Sequence, residues 1–200
     1  VIEVNNVIFD KLTFENASSV TANVNEYQTY SGILTTGTTG AVKLNVASKL
    51  VNSAETTKFT GTLTANSASS VTIDATGGLT ATAINAEKAT TVSITAGANS
   101  AATASISAAK ATTLNVTAGS KGLAITAAAA GKLEKVQTAT LKTDGALSFA
   151  TANLSDAADI TVSGTATTSK ATLTNLGATT LTHDVKLTAT GLKEGLVTGD

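Results

Sequence analysis

The sequence predicts an all-β chain wound as a parallel β-solenoid, and three observations carry that prediction. The first is a near-duplicate pair. Lys88-Ala89-Thr90-Thr91-Val92-Ser93-Ile94-Thr95-Ala96-Gly97 returns further along the chain as Lys110-Ala111-Thr112-Thr113-Leu114-Asn115-Val116-Thr117-Ala118-Gly119, and a fixed period in that range marks stacked repeats. The second is strict alternation of Val, Leu or Ile with Thr, Ser or Asn, the period-2 pattern of half-buried strands. The third is a ladder of first apolar residues, Val71, Val92, Leu114, Val136, Ile160 and Leu181, with steps of 21, 22, 22, 24 and 21. Coils of about 21–24 residues follow, each holding two or three short strands that stack in parallel about 4.8 Å apart.

Composition suits such a stack. Hydrophobic residues make up 42% of the 200 and aromatic residues only 3%, with Trp, Met, Cys and Pro absent, so any interior is filled by small and medium aliphatic groups. A narrow column of Val, Leu, Ile and Ala, buried where each turn of chain lies on the next, needs no more than that. Disorder is excluded, because the hydrophobic fraction and a net charge of −1 are the reverse of its signature.

In chain order, residues 1–59 read as a less regular cap or junction segment. Val1-Ile2-Glu3-Val4, Val7-Ile8-Phe9 and Leu12-Thr13-Phe14 are strand material, with turn residues at Asn5-Asn6, and five of the six aromatics (Phe9, Phe14, Tyr27, Tyr30, Phe59) lie here. Residues 60–200 read as the solenoid proper. After Val42 to Val46, its clearest strands are Thr60 to Thr64, Val71 to Ile73, Val92 to Ile94, Leu114 to Val116 and Ile160 to Val162, and glycines such as Gly61, Gly97, Gly119, Gly122 and Gly145 mark corners. A second ladder joins Leu79, Leu123 and Leu147, with Ala101-Ala102 on the skipped rung, and a third joins Ile84, Ile106, Leu154 and Leu176. The Ala-rich runs at Ala108-Ala109 and Ala127 to Ala130 develop no 3.6-residue face and are not assigned to helix.

Charge and cysteine content narrow the function classes. The 13 basic residues are all Lys against 14 acidic ones, so the Arg forks, basic patches and stacking aromatics of nucleic-acid binding are missing. Near-zero net charge favours association between copies. Without Cys there is neither a disulfide scaffold nor a thiolate metal site, which leaves the compartment open. No apolar run is long enough to span a membrane and no leader is legible. A chain that starts at Val1 and contains no Met is expected to be an excerpt of a longer protein.

Residues that could carry chemistry are few. His183 is the single histidine, which precludes a multi-histidine centre and reads as a solvent-facing corner residue. Asp144, Asp156 and Asp159 are the metal candidates, since carboxylates on adjacent corners suit calcium; the alternative is solvated polar corners, and the Gly-Gly-x-Gly-x-Asp nonapeptide has no match, Asp74-Ala75-Thr76-Gly77-Gly78 being only an approximation. The tripeptides at Asn16, Asn115 and Asn153 fit the glycosylation pattern, but such matches arise by chance in a Ser/Thr-rich chain and carry no role. Thr72, Ser93, Asn115, Gln137 and Thr161 are expected to form one outward polar row. Flat Thr arrays also occur on ice-binding solenoids, although Asn115 and Gln137 break the regularity needed there.

Units such as Ala89-Thr90-Thr91-Val92-Ser93-Ile94-Thr95-Ala96-Gly97, Ala111-Thr112-Thr113-Leu114-Asn115-Val116-Thr117 and Ala158-Asp159-Ile160-Thr161-Val162-Ser163-Gly164 resemble the repetitive bodies of Gram-negative surface-layer proteins of the RTX-associated kind, the surface-array proteins of Caulobacter and Campylobacter. The resemblance covers roughly residues 60 to 190. It implies type I secretion to the bacterial cell surface, a self-assembled lattice on lipopolysaccharide, and calcium as the cofactor of lattice contacts. Because the nonapeptides are missing, anchoring, secretion signals and lipopolysaccharide contact are expected in other parts of the full-length protein. The expected role is a non-enzymatic lattice or spacer segment, without nucleic-acid partners or membrane insertion. The alternative is the solenoid of an adhesin or autotransporter-like passenger. A polysaccharide-cleaving β-helix enzyme would need acidic and basic residues clustered on adjacent coils, and here Arg is absent and the carboxylates are dispersed.

Overall fold

The computed structural model describes residues 1–5, 11–24, 29–47, 50–51, 54–55, 57–127, 133, 135–149, 159–174 and 186–199. Among them there is no helix, and the strands form a parallel β-solenoid. Each coil contributes one strand to each of two sheets. Sheet I has nine strands, Ile2–Asn5, Val20–Val24, Ala41–Val46, Ser70–Ala75, Thr91–Ala96, Thr113–Ala118, Thr138–Thr143, Asp159–Gly164 and Lys186–Thr190, each paired with the next in parallel. Sheet II runs alongside through Lys11–Phe14, Ile33–Thr36, Thr62–Thr64, Gly78–Asn85, Ala102–Ser107, Leu123–Ala127, Ala146–Phe149, Lys170–Thr174 and Gly195–Gly199. Two short strands, Thr29–Tyr30 and Lys58–Phe59, extend sheet II beside Gly78 and Leu79. Eight spacings of about 4.8 Å give sheet I a height of roughly 38 Å.

The rungs follow directly from alternation. Val71 pairs with Val92, Val92 with Leu114, and Ile73 with Ile94 and then Val116, so each inward side chain sits on its equivalent one coil away. Val71, Ile73, Val92, Ile94, Leu114 and Val116 are all at most 1% exposed. The third inward position of these strands holds only Ala75, Ala96 and Ala118, which lets the chain close into the corner. Facing them, sheet II stacks Leu79, Ala102, Leu123 and Leu147 in one column, the Ala102 rung included. Another of its columns carries Leu12, Leu34, Leu63, Ile84 and Ile106. Leu154 and Leu176, expected in that column, lie outside the described residues, and Ala127 is what pairs with Ile106. A one-residue bulge at Thr82–Ala83 keeps both Ala81 and Ile84 inward, and the Thr82 amide and hydroxyl both donate to the Gly61 carbonyl at 3.1 Å.

Two rungs of the first ladder differ from expectation. Leu114 pairs with Ala139 rather than Val136, and Ile160 pairs with Leu187, Leu181 lying outside the described residues. Val136 is buried, but in a corner: its amide donates to the Leu133 carbonyl at 3.2 Å, the same bond that Ala89 makes to Ala86 and Ala111 to Ala108, each at 3.0 Å. Gln137 therefore drops out of the outward row, and Thr140 takes its place between Asn115 and Thr161.

Residues 1–59 supply rungs to the same sheets. Ile2 pairs with Val20, Val20 with Val42, and Val42 with Val71, so neither sheet breaks at residues 59 and 60. Asn5 is the last strand residue rather than a turn. Coil length varies more widely than the sequence ladder implies. The step in sheet I from Ile2 to Val20 is shorter than any in that ladder, and those from Val42 to Val71, Leu114 to Ala139 and Ile160 to Leu187 are longer. The rungs on either side still pair in register, and the Val42–Val71 coil contains a small antiparallel hairpin, Leu50–Val51 with Ala54–Glu55.

Candidate functional site

Asp144 and Asp159 stand in different settings. Asp144 occupies the corner after Thr138–Thr143, where its carboxylate accepts the Thr165 hydroxyl at 2.5 Å and its carbonyl accepts the Thr168 hydroxyl at 2.8 Å. Asp159 opens a sheet I strand and lies 3.8 Å from the Lys186 ammonium. The two carboxylates have different neighbours. Asp156 and His183 lie outside the described residues. No group of three or more His, Cys, Asp or Glu side chains is placed to hold a metal ion among the described residues.

Beneath Asp144 the corner is closed by a buried hydroxyl network. Ser169, fully buried, donates to the Thr143 carbonyl at 2.9 Å and accepts the Ala166 amide at 3.0 Å. The Thr143 hydroxyl, 2% exposed, accepts the Gly145 amide at 3.2 Å. Thr36 and Thr38 do the same at an earlier corner, accepting the Thr38 and Gly40 amides at 3.1 Å. These hydroxyls satisfy backbone groups that a corner would otherwise leave unpaired, which is a structural task.

The outward face of sheet I is a field of short polar side chains. One row holds Thr72, Ser93, Asn115, Thr140, Thr161 and Thr188, and Asn115 donates to the Ser93 hydroxyl at 3.2 Å. The neighbouring row contains an amide ladder that sequence reasoning missed: Asn45 donates to Asn23 at 2.6 Å and Asn23 to Asn5 at 2.8 Å. Its only signal was an Asn at the same place in Val4-Asn5, Ala22-Asn23-Val24 and Leu44-Asn45-Val46. Of the glycosylation tripeptides, Asn16 is exposed with a φ of 57°, Asn115 is engaged within sheet I, and Asn153 lies outside the described residues.

Among the described residues, the outward face of sheet I offers hydroxyls, amides and scattered single charges. No described helix is long and apolar enough to cross a membrane. Comparison with known proteins finds no family model, no curated protein and no solved structure that matches this chain.

Proposed function

We propose that the chain is a structural, non-enzymatic segment of a self-assembling bacterial cell-surface layer, secreted to the surface and supplying a rigid solenoid for contacts between copies. The observation that supports this most is the pair of uninterrupted parallel sheets: they hold long lateral faces at fixed spacing, and lateral contacts whose symmetry does not close generate open arrays. The partner is the protein itself. Lipopolysaccharide contact and secretion signals belong, in this reading, to other parts of the full-length protein. Calcium dependence enters this reading by family resemblance, with Asp144, Asp156 and Asp159 as its candidate carboxylates.

Electron microscopy of the purified full-length protein, with and without calcium, tests the proposal. Two-dimensional ordered sheets are the expected result. Particles that stay monomeric under every ionic condition would remove the coat reading, and a cell-binding activity carried by those monomers would favour the adhesin-like passenger instead.

A further inference from the structure

We draw no further inference here: the strongest candidate, the outward face of sheet I, where the row from Thr72 to Thr188 carries hydroxyls and the Asn115 amide, is interrupted by Asp74, Lys142 and Asp159, and nothing in the structure shows what covers it.

Discussion

At the residue scale, the tightest requirement falls on glycines where one corner passes over the next. Gly97 has a φ of 82°, and a Cβ built there would lie 2.2 Å from the Gly122 carbonyl oxygen. Gly195 has a φ of 97° with nothing within 4 Å of the same position. Gly97→Ala therefore combines backbone strain of about 1–3 kcal/mol with displacement of a neighbouring main chain, whereas Gly195→Ala carries the strain alone. Thermal melts should show the larger loss for Gly97→Ala; equal losses would mean that the coils do not approach as closely as described. Ser169 poses a polar version of the same demand. Ser169→Ala leaves the Thr143 carbonyl and Ala166 amide without their partner in a fully buried corner, at a cost of about 1–3 kcal/mol, and hydrogen exchange at the Ala166 amide should quicken.

At the element scale, the unit of stability is the rung, not the surface ion pair. Lys186 and Asp159 are 76% and 61% exposed at 3.8 Å, so Lys186→Ala should change stability by no more than about 0–1 kcal/mol; a larger, salt-insensitive loss would show that the lysine stem also packs. The sequence disclosed the rungs at Val71, Val92, Leu114 and Ile160, where the first inward residue is a large aliphatic. It misled at Val136, because Val is the stronger apolar signal than Ala139 and a buried corner residue has the same hydropathy as a buried strand residue. Residues 1–59 were legible as strands but not as coils, since the unequal steps from Ile2 to Val20, then to Val42, then to Val71 hide the period. Asp144 and Asp159 are separated by less than a whole coil, while Thr165, the residue that does reach Asp144, is 21 residues away.

At the scale of the whole molecule, nearest-neighbour stacking makes stability depend on position along the axis. Each interior rung has two neighbours and each terminal rung one, and the inward side chains Ile2, Leu12, Leu187 and Leu196 are only half-buried whereas their interior counterparts are buried. Hydrogen exchange on the whole chain should therefore protect Thr91–Ala96 and Thr113–Ala118 most and decline towards both ends. Uniform protection would show that the stack opens as a single unit. The equivalence of the rungs also bears on how such a chain changes over generations. Lys88 to Gly97 and Lys110 to Gly119 match position for position and their strands pair in register within sheet I, so an in-frame recombination between their coding segments would excise everything from one Lys codon to the next. That lost length is one whole coil. The shortened product would join Ser70–Ala75 to a strand of unchanged register, keep both outer faces, and differ only in being about 4.8 Å shorter, so the height of the molecule is open to selection separately from what its surfaces display.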